Sequence, residues 1–154
     1  MRYLLAIGLT MVAHGAMAQD VLTDLAGSWA GSGTYLDRNI EEDIRCRINV
    51  TSNDSTTNIA GVCASARRNE DIELSILRND DGTLTAQQEN ENSIRRPLVM
   101  DGVLGRDSIE LSGRRGAEET RLTLQLIDPD TLAMISVISS ANRTQSTTLQ
   151  FDRR

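Results

Sequence analysis

The chain has 154 residues, with 16 basic and 22 acidic side chains and a formal charge of −6; every basic residue is arginine. Its single histidine, His14, lies in an N-terminal stretch that reads as an export signal, so the remainder carries neither histidine nor lysine. That composition excludes a Ser-His-Asp triad, histidine-ligated zinc or haem, an imidazole pH switch, a Schiff-base lysine and a Walker-type phosphate clamp.

Met1 and Arg2 form a short positive region, and Tyr3 to Val12 is apolar but too short to span a bilayer as a helix. Ala16-Met17-Ala18 has the small-x-small pattern read by signal peptidase, which predicts residues 1–18 as a signal peptide cleaved after Ala18. An uncleaved anchor is the alternative, disfavoured by the short apolar region. No cysteine follows it to carry a lipid, and no later apolar stretch reaches membrane-spanning length. The expected location is the bacterial periplasm or the medium. Losing Arg2 makes the processed chain one unit more negative, and residues 19–154 are the right size for a single domain.

The next segment, Val21 to Leu25, is the one stretch that suits a short helical turn, capped by Asp20 or Thr23. In Gly27-Ser28-Trp29-Ala30-Gly31-Ser32-Gly33-Thr34-Tyr35, strand periodicity puts Trp29, Gly31, Gly33 and Tyr35 on one face. Glycines there let a strand bend sharply, as closing a small barrel requires. Glu41-Glu42-Asp43 is expected to be a solvated loop cluster, as is Asp80-Asp81; neither follows a calcium-loop pattern.

Ile44 to Val50 alternates apolar and polar residues, Asn53 to Thr56 is turn chemistry, and Asn58 to Cys63 reads as the returning strand. Centring the turn between Asp54 and Ser55 sets Val50 opposite Ile59, Ile48 opposite Gly61 and Cys46 opposite Cys63. One register therefore puts six side chains on one face and brings the two cysteines together. Opposed antiparallel residues are within disulfide reach, and export supplies the oxidising compartment. A structural Cys46–Cys63 disulfide is predicted over a redox pair, because the cysteines lack CxxC spacing.

Strands continue through Ile72 to Ile76, a turn at Asn79 to Gly82, Leu84 to Glu89, a loop at Asn90 to Ser93, Leu98 to Leu104 and Ser108 to Ser112. Gly113 to Glu119 is expected to be a polar connector. Leu122 to Leu126, Thr131 to Ser139 and Thr147 to Arg153 complete about ten short strands. The predicted fold is all-β, an antiparallel up-and-down barrel of about 8–10 strands, with a β-sandwich as the alternative.

The opening Gly27-Ser28-Trp29 after a short helical turn resembles the lipocalin-like (calycin) barrels. The resemblance implies that an arginine from the last strand packs over Trp29 and closes one barrel end; Arg153 is the expected partner, with Arg154 and Arg143 as rivals. The run Leu25-Ala26-Gly27-Ser28-Trp29 followed by Cys46 and Cys63 is also similar to small periplasmic inhibitors of secreted metalloproteases. That similarity implies an inhibitory arm at Gln19 to Asp24. Haem-binding barrels of the nitrobindin type share a Gly-rich Trp strand, but they need a histidine on iron.

Trp29, Tyr35, Met100 and Met134 are the candidate ligand-binding residues, each set against a core-packing role; for Trp29 that role is the barrel plug. The structural candidates are Cys46, Cys63, Trp29 and Arg153. The arginine pairs Arg67-Arg68, Arg95-Arg96, Arg114-Arg115 and Arg153-Arg154 could clamp a polyanion, but solvated loop charge is the favoured reading. Net negative charge and few aromatic residues oppose nucleic-acid binding. The expectation is a monomeric, non-enzymatic barrel without metal or cofactor. It would bind a small apolar or amphiphilic molecule or serve the cell envelope; the alternative is a secreted-protease inhibitor.

Overall fold

A computed structural model describes residues 20–89 and 97–154. The predicted signal peptide, the loop at Asn90 to Ser93 and the Arg95-Arg96 pair lie outside the described residues. Ten strands follow one short helix, α1 (Val21–Asp24): β1 (Gly27–Asp37), β2 (Ile40–Ser52), β3 (Thr56–Ala64), β4 (Asn69–Arg78), β5 (Leu84–Glu89), β6 (Leu98–Leu104), β7 (Ser108–Arg115), β8 (Glu118–Asp128), β9 (Thr131–Ser140) and β10 (Arg143–Arg153). Each strand pairs antiparallel with the next, and β1 pairs with β10, so the sheet closes into an up-and-down barrel. Closure leaves no sheet edge to protect.

The β2–β3 hairpin adopts the register expected from its turn: Cys46 faces Cys63, Ile48 faces Gly61 and Val50 faces Ile59. Asn53 builds the turn by accepting from the backbone N–H of Ser55 and Thr56, at 3.0 and 2.8 Å. The two cysteines form a disulfide across the pair, their Cα atoms 4.1 Å apart. Two polar segments depart from expectation. Most of Gly113 to Glu119 belongs to β7 and β8, joined by a tight turn at Gly116, whose φ of 63° is left-handed. Glu41-Glu42-Asp43 lies within β2. Charged residues reside in these strands because the outer face of the barrel meets water, so alternation rather than polarity decides the element.

One end of the barrel is packed solid. Val21, Leu22 and Leu25 from α1 join Trp29, Val50, Ile59, Ile76, Leu84, Ile109, Leu132 and Phe151 in the core. The α1 segment is held there from several sides. Asp20 caps it by accepting from the Leu22 N–H at 3.2 Å, and Arg78 Nη2 donates to both Asp20 carboxylate oxygens at 2.6 and 2.7 Å. Trp29 Nε1 donates to the Leu25 carbonyl at 2.9 Å. Arg153 donates to the carbonyls of Ala26, Asp24 and Pro129 at 2.6, 2.7 and 2.8 Å, and its guanidinium carbon lies 4.2 Å from the Trp29 ring centroid. Residues 20–24 are therefore a base plug and not the free arm implied by the inhibitor resemblance. The physical reason is apolar: Val21 and Leu22 keep only 3% and 5% of their surface in water.

Candidate functional site

Above the plug, the inward faces of the strands enclose a cavity of about 290 Å³. Its deeper wall is apolar, formed by Ile44, Ile48, Ile59, Leu74, Leu124 and Leu149, with Ile72, Leu122 and Met134 beside them. Its mouth is polar: Tyr35, Arg68, Glu70, Gln88 and Gln145, with the hydroxyls of Ser65, Thr120 and Ser136. Apolar depth and a ring of directional groups at the opening is the usual chemistry of a small-molecule site.

Alternation explains how the wall is built. The buried positions of β2 include Glu42, Ile44, Cys46, Ile48 and Val50 in strict period two, and those of β3 include Ile59 and Cys63. Glycine at position 33 serves the closure of the barrel. A side chain at Gly33 would collide with the backbone of Thr148 and Leu149 on β10. The close β1–β10 approach thus requires a residue without Cβ.

The four ligand-binding candidates divide. Tyr35 and Met134 line the cavity. Trp29 does not; it sits at the opposite end with 1% exposure, between the Leu25 carbonyl and the Arg153 guanidinium. Met100 does not either, and is equally buried. Its register partners are Ala86 on β5 and Gly113 on β7, whose small size leaves space that the flexible methionine fills. Met134 is paired with Leu124 and Leu149, which fill their own share of the interior and leave it on the cavity wall. Trp29 and Met100 therefore lie outside this cavity and take the core-packing role that was set beside ligand contact for each.

The mouth carries residues expected from the sequence to be solvated loop charge, and others that it did not single out. Arg68 lies 4.2 Å over the Tyr35 ring and donates from Nη1 to Glu70 at 3.2 Å. Contact with Tyr35, then with Glu70, raises its pKa above the ordinary arginine value, so it is a permanent cation. Gln145 Nε2 donates to the Tyr35 hydroxyl at 2.5 Å, which leaves the phenolic O–H free to donate elsewhere. Glu42 is buried at the same end, accepting from Ser65 Oγ at 2.6 Å, with Arg67 Nη1 at 3.6 Å. The Arg67-Arg68 pair was legible as a doublet, but not its division between two carboxylates and one aromatic face. That division follows from the tight β3–β4 connection, which turns Arg68 inward. The other described pairs split too: Arg114 bonds Glu119 at 2.8 Å, and Arg154 uses its backbone N–H on the Ser28 carbonyl.

At the rim, Arg143 grips Asp37 with both forks, Nε to Oδ1 at 2.9 Å and Nη2 to Oδ2 at 2.5 Å. This hydrogen bond and the guanidinium charge hold the Asp37 carboxyl below its ordinary pKa of 3.8. A depressed carboxylate pKa contributes stability that is present above the unfolded value, about 4, and is lost as pH falls through the folded value. The expected result is that Arg143→Gln lowers the urea midpoint at pH 7 but much less at pH 3. An equal effect at both pH values would show that the pair is not the source.

Among the described residues no group of His, Cys, Asp and Glu is placed to hold a metal, and no helix is long and apolar enough to cross a membrane. No protein-family model and no curated protein matches the sequence. Solved structures match the fold. The chain is similar to an S-type phycobiliprotein lyase from Guillardia theta, with a TM-score of 0.61 and 13% identity over 88% of this chain and 93% of that one. A de novo designed fluorescence-activating β-barrel aligns with a TM-score of 0.48 and 14% identity, covering 88% of this chain and 99% of the design. At such identities the likeness extends to the fold alone.

Proposed function

We propose that this protein is an exported, non-enzymatic lipocalin-like barrel that binds one small amphiphilic molecule in its interior. The observation that carries the reading is the cavity of about 290 Å³, apolar at depth and polar at its mouth, above a base sealed by α1, Trp29 and Arg153. The low end of ligand-site volumes is about 300 Å³, so the occupant is small. The outer face supports a barrel that lives in water: outward positions of β2 include Glu41, Asp43, Arg45 and Arg47, whereas a membrane-spanning barrel presents an apolar band there. The disulfide suits an oxidising compartment. The likeness to the phycobiliprotein lyase lends this reading a barrel of similar architecture and nothing finer.

The test is titration with the neutral fluorescent probe N-phenylnaphthylamine. Saturable binding by the wild-type protein is expected, with about tenfold weaker binding by Met134→Trp, whose indole would fill the cavity while the far-UV circular dichroism and melting temperature are retained. No saturable binding, or a Met134→Trp variant that binds as well as wild type, would overturn the reading. Because Trp29 lies outside the cavity, its own fluorescence is a poor reporter of occupancy.

A further inference from the structure

Building on the cavity reading, we infer that the occupant is a small monocarboxylate with an apolar tail, its head group held by Arg68 at the cavity mouth. Three features of the mouth lead there. The first is the guanidinium itself, which lines the cavity, rests on the face of Tyr35 at 4.2 Å and donates from Nη1 to Glu70. Stacking on a ring fixes the plane of an arginine fork, and a fixed fork matches a planar carboxylate in two parallel hydrogen bonds.

The second feature is the state of the carboxylates. Glu42 is satisfied by Ser65 and Arg67 and is not part of the cavity wall, and Asp37 is gripped by Arg143. Glu70, which does line the cavity, is the more exposed partner of its pair: its side chain is 59% in water against 35% for Arg68. Glu70 can therefore swing to solvent and yield the fork to an incoming carboxylate, whereas among the described residues Glu42 and Asp37 are already engaged by arginines. The third feature is the neutral donor set. The Tyr35 hydroxyl accepts from Gln145 and keeps its own proton to donate, and Gln88 supplies an amide on the opposite wall.

Tail size follows from volume. The cavity, about 290 Å³, stands near the low end of ligand-site volumes, about 300 Å³, which suits a short tail. Straight-chain ten-carbon amphiphiles serve as probes, since they vary the head group on one tail.

The experiment measures displacement of N-phenylnaphthylamine by decanoate, decanol, decylamine and decyl sulfate, for the wild-type protein, Arg68→Gln and Arg68→Lys, with circular dichroism to verify folding. Decanoate is expected to bind about tenfold or more tighter than decanol, the scale of one charged hydrogen bond. That ratio should fall to near one in Arg68→Gln and be only partly kept in Arg68→Lys, which retains the charge but loses the fork. Decylamine or decanol equalling decanoate in the wild type would overturn the head-group assignment while leaving the cavity reading intact. Decyl sulfate equalling decanoate would show that the site reads charge and not the planar carboxylate, and would overturn the assignment in that form. A decanoate preference that survives in Arg68→Gln would move the head group away from Arg68. If N-phenylnaphthylamine itself fails to bind, the cavity reading falls and this inference falls with it.

Discussion

Replacing Trp29 with alanine should destabilise the protein by about 3–5 kcal/mol, the range for removing a fully buried large aromatic side chain. The ring is 1% exposed, its indole N–H is satisfied by the Leu25 carbonyl at 2.9 Å, and Arg153 stacks over its face. Alanine would leave a void at the barrel base, free the Leu25 carbonyl, and remove a cation–π contact of about 1 kcal/mol. The same change loosens α1, because Val21, Leu22 and Leu25 pack into that base. Urea denaturation followed by far-UV circular dichroism measures the loss. Arg153→Ala should also destabilise, through the carbonyls of Asp24, Ala26 and Pro129, and the double variant should lose less than the two singles combined. A loss below about 1 kcal/mol for Trp29→Ala would show that the base is sealed by other groups.

Removing the Cys46–Cys63 bridge should cost about 3 kcal/mol in the chain-entropy account, given a sequence separation of 17. The Cys46→Ala, Cys63→Ala double variant is the direct test, with the wild type in excess reductant as a second one. Both are expected to lower the urea midpoint by a similar amount while the barrel stays folded under native conditions. The loss should be a global one, because the bridge joins β2 to β3 and both cysteines belong to the core cluster. If reduction leaves the midpoint unchanged, the hairpin is already ordered in the unfolded ensemble and the bridge adds nothing to it.

The hairpin shows why so much of the fold was legible. A period-two pattern of apolar residues, one turn rich in Asn, Asp and Ser, and two cysteines equidistant from its centre leave a single register that buries one face. The same alternation delivered the strand count and, with Gly27-Ser28-Trp29, the barrel and its helical lead-in. The polar connector at residues 113–119 was misjudged because its outward charges look like a loop, although a solvated strand face carries the same residues.

The site was legible only in outline. Tyr35 and Met134 share inward-facing strand positions with Trp29 and Met100, and nothing in their own identity separates the cavity pair from the packed pair. Height along the barrel and the size of cross-strand neighbours separate them: Ala86 and Gly113 make room for Met100, whereas Leu124 and Leu149 leave Met134 on the cavity wall. Arg68 was legible only as half of a charged pair and Glu42 only as part of an acidic cluster: the side Arg68 faces depends on how the chain turns into β4, and Glu42 faces inward because β2 extends past it.

From the sequence alone came an antiparallel barrel of about ten strands, a Cys46–Cys63 register and a composition without histidine or lysine beyond the predicted leader. These are local properties, set by periodicity, turn chemistry and residue inventory. The tertiary structure decided which end of the barrel is closed, that residues 20–24 plug it, and that Arg68 and Tyr35 meet at the open end. Those outcomes depend on contacts between residues far apart in the chain, such as Arg153 with Asp24 and Gln145 with Tyr35. No local pattern encodes such contacts, because they form only when β1 pairs with β10 and the sheet closes.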